Sequence, residues 1–204
     1  MARSAGVARR YASDVSPLAG LREPTLAAFA DLSALVGPEE HVGLVTSAPL
    51  QVPGDWQVGR SRPIEQMICT RLSRTLFATP LTLGPTDVPE MIALAAATEP
   101  GPFLPQTIQM GRYLGIRSSD GRLIAMAGER LRLDRFTEIS AVCTSPEFRG
   151  QGHARGLVEF LVAQTLAEGK VPFLHVKEEN GAKLLYEKIG FHVRRAIQLT
   201  VIGR

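Results

Sequence analysis

Apolar positions recur at helical spacing in two stretches of the second half of the chain. After Gly152, the residues Ala154, Leu157, Val158, Leu161 and Val162 define one face, and after Asn180 so do Ala182, Leu185, Tyr186 and Ile189. These spacings predict a helix ended by Gly169 and a second one capped by Asn180 and closed by Gly190. A further helix, Val88 to about Ala97, follows Gly84-Pro85 and the capping pair Thr86-Asp87, with Met91, Leu94 and Ala95 sharing a face. Short apolar or alternating runs predict strands at Leu81–Leu83, Tyr113–Arg117, Arg122–Arg130, Glu138–Thr144 and Val171–Val176, with one strand or a pair in Phe191–Ile202. Ser118-Ser119-Asp120-Gly121 is a polar turn that makes its flanking strands an antiparallel hairpin. Glu99–Pro105 holds three prolines, which suit neither helix interior nor central strand, and is expected to be a surface loop.

The first 75 residues are less legible. Pro24 and the run to Gly37 predict a helix with proline in its first turn and Gly37 at its end. His41–Ser47 reads as a strand, Pro49–Trp56 as a loop, and Trp56–Leu72 as a hairpin arm or a short helix. The opening stretch to Asp14 is rich in arginine and is read as a short basic tail in preference to a transit peptide. The expected organisation is an N-terminal subdomain, 1–75, that extends the following sheet or caps it, and a domain spanning 76–204. The second part runs strand, helix, three antiparallel strands, helix, strand, helix, strand.

Composition narrows the class without naming a function. The 204 residues are 45% apolar and 21% charged, as in ordinary soluble domains. A net charge of +3, scattered along the chain, does not point to nucleic acid. Cys69 and Cys143 are far apart and lack metal-ligand spacing, so a reducing cytoplasmic setting is expected and a metal is not. No apolar run is long enough to span a membrane as a helix.

Chemistry concentrates between Ser145 and Gly156. Gly150 and Gly152 permit close backbone approach, and free amides at the start of a helix form a concavity that attracts anions. Arg149 and Arg155 add positive charge, and a diphosphate is the natural guest. His153-Ala154 follow Gly152 where a Walker loop needs Lys-Ser or Lys-Thr, and the preceding antiparallel hairpin disfavours a dinucleotide-binding fingerprint.

Arg149-Gly-Gln-Gly-His-Ala154 resembles the R/Q-x-x-G-x-G/A signature of the GNAT superfamily of N-acetyltransferases. Asn180-Gly-Ala-Lys-Leu-Leu-Tyr186-Glu-Lys-Ile-Gly-Phe191 is similar to that family's second signature. The likeness spans about Leu81 to Ile202, and within the superfamily it looks closest to the glycine N-acyltransferase-like branch. Ala154 stands where many members have glycine.

The resemblance implies an α/β (α+β) fold with a mixed, mostly antiparallel sheet flanked by helices and opened by a splayed parallel pair, 138–144 and 171–176. It implies acetyl-CoA as cosubstrate and direct transfer to an amine in a ternary complex. The diphosphate would lie on Arg149, Gly150, Gln151, Gly152, His153, Ala154 and Arg155. Backbone groups of Val142 and Thr144 and the side chain of Asn180 would meet the pantetheine arm.

Aminolysis needs a neutral amine, and a lysine-like amine has a pKa of about 10.4. Glu138 is the candidate base, sharing a strand face with Ser140, Val142 and Thr144, and Glu129 is the next. By family analogy the Val142 amide meets the carbonyl oxygen as it gains charge. Tyr186 is the candidate donor to the departing thiolate. Cys143 is read as a core thiol, His175 as structural in preference to lining the acceptor pocket, and Phe103 as packing or as a wall of the acceptor site. Neither nucleic acid nor membrane is expected as a partner, and a homodimer is allowed. The alternatives are a silent coenzyme-A sensor and an adaptor. No residue names the amine.

Overall fold

The computed structural model describes residues 2–73 and 80–204. Four α-helices occur among them: α1 (Leu26–Ser33), α2 (Val88–Thr98), α3 (His153–Ala167) and α4 (Lys183–Ile189). α3 buries Leu157, Val158, Leu161 and Val162, four of the five residues its spacing singled out, while Ala154 in its first turn is only partly buried. Gly169, in the left-handed region at φ 72°, follows its end. Three helix boundaries differ from expectation. Thr25 caps α1 by accepting from the Ala28 amide at 3.2 Å, so Pro24 stands before the helix. α1 stops at Ser33, because residues 34–36 tighten into a turn on Leu32 and the Gly37 amide donates to Glu40 Oε2 instead. α4 begins at Lys183, not after Asn180, whose Oδ1 accepts from the Ala182 amide at 3.0 Å in a local turn ahead of the helix.

The strands are β1 (Ala2–Ala5), β2 (Ala8–Tyr11), β3 (Leu18–Leu21), β4 (His41–Thr46), β5 (Gln57–Ile68), β6 (Leu81–Thr82), β7 (Tyr113–Arg117), β8 (Leu123–Arg132), β9 (Phe136–Thr144), β10 (Val171–Val176) and β11 (His192–Gly203). Among the described residues they form one sheet in the order β1-β2-β3-β4-β11-β5-β10-β9-β8-β7-β6. Pairing is antiparallel except for β3 with β4 and β9 with β10. Residues 2–68 therefore extend the sheet, and β5 enters its middle, between β10 and β11. The expected basic tail is instead the β1–β2 hairpin. Its alternation turns Ala8 and Arg10 inward, where Arg10 donates to Glu40 and to the Leu35 carbonyl. The boundary expected between residues 75 and 76 lies outside the described residues.

Cores form on both faces of this sheet. α3 and α4 cover Ile139, Leu174, Met67 and Cys69 on one side. α2 and Phe103 pack with Tyr113, Met126, Ala141 and Cys143 on the other. α1 closes a third cluster with Val42, Leu44, Trp56 and Ile202.

Candidate active site

β9 and β10 are paired only through Val171–Phe136, Pro172–Thr137 and Phe173–Glu138. Beyond that point no ladder pairing joins them, although β9 runs on to Thr144 and β10 to Val176, and the gap between their ends is the candidate cleft. Beside it, β9 carries a bulge: Met126 faces Cys143 and Gly128 faces Ser140, so three steps along β9 match two along β8. Ala141 absorbs the extra residue with φ 53°, a left-handed conformation that costs a non-glycine residue about 1 kcal/mol. The bulge reverses the alternation. Ala141 and Cys143 join the α2-side core, while Val142 packs toward α3. The expected sharing of one face by Glu138 and Val142 therefore fails past Ser140. Ala141 and Val142 have no partner in the β8–β9 register, and on the other edge they lie past the last residue of β9 paired with β10.

At the cleft's end the chain enters the glycine-rich loop. Gly150 and Gly152 have φ of 79° and 83°, and a Cβ at either would meet nothing within 4 Å. Both conditions, left-handed backbone and open space, suit a ligand approaching the main chain. Among the described residues, none of the backbone amides of residues 150 to 155 donates a hydrogen bond. They surround the start of α3, where the helix dipole adds positive potential. His153 Nε2 is buried there without a partner. Arg149 Nε donates to the Thr144 carbonyl at 3.2 Å, tying the loop to the end of β9. Arg155 Nε is paired with buried Glu159 at 2.7 Å, so part of its charge is already balanced. Open amides beside positive potential are chemically suited to an anion such as a diphosphate.

Glu138 has no exposed surface. Arg130 Nε donates to its Oε2 at 3.0 Å, Arg130 Nη2 reaches Oε1, and His175 Nδ1 lies 2.8 Å from Oε1. Burial alone would raise its pKa. The charge of Arg130, helped by the hydrogen bonds from His175 and Arg130, outweighs burial and holds the carboxyl at about 2. Tyr11, from the N-terminal hairpin, lies near this pair: burial raises its pKa first, and the Glu138 charge raises it further. Tyr113 packs edge-on against Phe103 at 5.4 Å, and its buried hydroxyl has no partner. Sequence reading missed Arg130, Tyr11 and Tyr113, and also Gln66, whose Nε2 lies 3.2 Å from His175 Nε2. Alternation along single strands gave no sign that they converge.

Glu129 stands opposite Ile139, on the α3 side of the sheet, away from Glu138. Arg112 holds it there, donating from Nε to Oε1 at 2.9 Å. Tyr186 is buried against Phe191 and within electrostatic reach of Cys143. Desolvation, then the neighbouring Cys143, pushes its phenol up to about 12. Burial likewise raises the Cys143 thiol. Asn180 is exposed, beyond the end of β10. Among the described residues no cluster of His, Cys, Asp and Glu is arranged to hold a metal, and no helix is long and apolar enough to cross a membrane.

The profile of the FR47-like protein family matches residues 113–199. No curated protein sequence matches the chain. A crystal structure of a GNAT-family protein from Novosphingobium aromaticivorans is 40% identical, with a TM-score of 0.89, covering 98% of this chain and 90% of its own. A GCN5-related N-acetyltransferase from Kribbella flavida is 18% identical, with a TM-score of 0.62 and coverage of 100% of this chain and 88% of its own. The ribosomal-protein-S18-alanine N-acetyltransferase of Escherichia coli is 21% identical, with a TM-score of 0.50, covering 61% of this chain and 92% of its own. The last two show likeness of fold alone.

Proposed function

The chain belongs to the GNAT family of acetyltransferases, and from that premise we propose that it transfers an acetyl group from acetyl-CoA to a primary amine, both held in one ternary complex. The observation that carries this reading is the row of uncommitted amides from residue 150 to 155 at the start of α3, beside the cleft between β9 and β10. Acetyl-CoA supplies the activated acyl carbon and a thiolate leaving group.

In this proposal Arg149, Gly150, Gln151, Gly152, His153, Ala154 and Arg155 hold the diphosphate. The backbone of Val142 and Thr144 lines the pantetheine arm, with Asn180 on the opposite wall. The Thr144 carbonyl already accepts from Arg149, so that residue contributes chiefly by fixing the loop. The bulge at Ala141 supports Val142 as the amide donor to the carbonyl oxygen as charge develops. Tyr186, with its phenol near 12, stays protonated at neutral pH and acts as hydrogen-bond donor to the departing sulfur. A carboxyl held at about 2 is a weak proton acceptor, so Glu138 serves as a fixed negative charge on the acceptor side. Placement in the glycine N-acyltransferase-like branch and action in the cytoplasm belong to the same proposal and rest on the sequence, whereas the catalytic unit proposed includes β5, which pairs with both β10 and β11.

Thiol release from acetyl-CoA, measured against a panel of amines, amino acids and peptides, tests the reading. The wild type is expected to turn over at least one of them, and Tyr186→Phe to lower kcat about 10- to 100-fold with KM for acetyl-CoA little changed. Acetyl-CoA binding without thiol release from any amine would make the chain a silent coenzyme-A module instead.

A further inference from the structure

Five adjacent strands, β11, β5, β10, β9 and β8, each contribute one side chain to a continuous line of hydrogen bonds across the sheet. Arg194 Nη1 donates to Gln66 Oε1 at 2.7 Å, and Gln66 Nε2 meets His175 Nε2 at 3.2 Å. His175 Nδ1 meets Glu138 Oε1 at 2.8 Å, and Arg130 Nε donates to Glu138 Oε2 at 3.0 Å.

The two ends fix the direction of every link between them. A guanidinium only donates, and an ionised carboxylate only accepts. Arg194 takes the Gln66 carbonyl oxygen, which turns the amide NH2 toward His175. That NH2 donates to Nε2, so Nε2 carries a lone pair. Glu138, ionised beside Arg130, takes the proton on Nδ1. His175 is thus held as the neutral imidazole with its proton on Nδ1 and its basic nitrogen directed away from Glu138.

Its position gives this arrangement a use. The parallel pair separates after Phe173 and Glu138, and His175 follows two residues later on the same face as Phe173, where the cleft opens. Its side chain is 10% exposed. The Gln66–His175 contact is the longest of the links and joins two neutral groups, so an incoming amine displaces it at the least cost. Glu138 faces the ring from β9, Gln66 faces it from β5, and Phe173 lies edge-on with ring centroids 5.5 Å apart. Arg130 stands behind Glu138, Arg194 behind Gln66, and Tyr11 near the Arg130–Glu138 pair.

We propose that His175 Nε2 is the proton acceptor for the acceptor amine, with Glu138 and Gln66 as its positioning residues, a proposal that rests on the acyltransfer reading above. One proton of the substrate ammonium passes to Nε2 and then to solvent. A second ends on the departing sulfur as the carbon–nitrogen bond forms and the carbon–sulfur bond breaks. Glu138 offsets the imidazolium charge while it lasts.

Long-range nitrogen–proton NMR correlations of the wild-type protein at about pH 7.5 test the proposal, with His175→Gln used to assign the ring. The expected result is a protonated Nδ1 and a bare Nε2 at His175. A proton on Nε2, or on both nitrogens, would overturn it. With an amine that the wild type acetylates, His175→Gln should lose about 100-fold or more in kcat, while acetyl-CoA binding and the melting temperature stay close to wild type. A kcat within about fivefold of wild type would overturn it as well. If no amine is acetylated by the wild type, the acyltransfer reading falls, and the ring's protonation state still decides whether His175 is held as described.

Discussion

Glu138 shows how one buried residue makes stability depend on pH. Burial would favour its neutral form, but Arg130 and His175 reverse that preference and hold the group at about 2. An unfolded glutamate titrates at ~4.3. The folded value is the lower one, so the contribution to stability is complete above the unfolded value and is lost as pH falls toward the folded one. The window is worth on the order of 3 kcal/mol. Thermal melts between about pH 5 and about pH 2.5 should therefore fall more steeply for wild type than for Glu138→Gln. The variant should also be less stable at neutral pH, because Arg130 would keep a buried charge without its partner. Equal slopes would show that the Arg130–Glu138 pair does not govern acid stability. The sequence points to Glu138 but not to this environment, since its partners Arg130 and His175 are 8 and 37 positions away and meet it only through strand register. The motif carrying Tyr186 was visible, and its elevated pKa was not, because desolvation depends on what packs around the ring.

Elements whose signals are local were legible. α2, α3, β7 and β10 lie within a residue or two of where spacing and turn residues put them, because each is specified by neighbours in sequence. The glycine-rich loop is the functional example: Gly150 and Gly152 occupy left-handed backbone that glycine alone adopts readily. The bulge in β9 carried no comparable signal, since alanine, not glycine, holds the positive φ at position 141. The pairing of three steps against two is a property of both strands. The loop supplies the prediction at this scale. Nothing lies within 4 Å of a Cβ at Gly152, so Gly152→Glu should cost the fold little beyond the left-handed strain of about 1 kcal/mol. Its carboxylate would project where a diphosphate is expected and repel it. Calorimetric titration with acetyl-CoA should show affinity reduced by about 100-fold or more, equivalent to ~2.7 kcal/mol. Binding within about threefold of wild type would remove the loop from the cofactor site.

The whole molecule depends on a pairing that spans most of the chain. β5 matches four residues of β10 and eleven of β11, so a strand from the first third of the sequence joins two from the last. Sequence reading found the extended stretch but not its neighbours, because non-local register leaves no local mark and the likeness to known motifs covered only the later residues. The insertion also feeds the interior. Met67 and Cys69, both without exposed surface, sit in the core beneath α3 and α4. Without residues 1–79, β10 and β11 would lose the strand that joins them, their backbone groups would face water, and the α3–α4 core would lose two of its buried side chains. A fragment comprising 80–204 is therefore expected to show no cooperative thermal transition and no acetyl-CoA binding, and co-expression with 1–79 is expected to restore both by supplying β5 in trans. A fragment that melts cooperatively and binds acetyl-CoA on its own would show that the later residues fold as an independent unit and that β5 only adds to a sheet already formed.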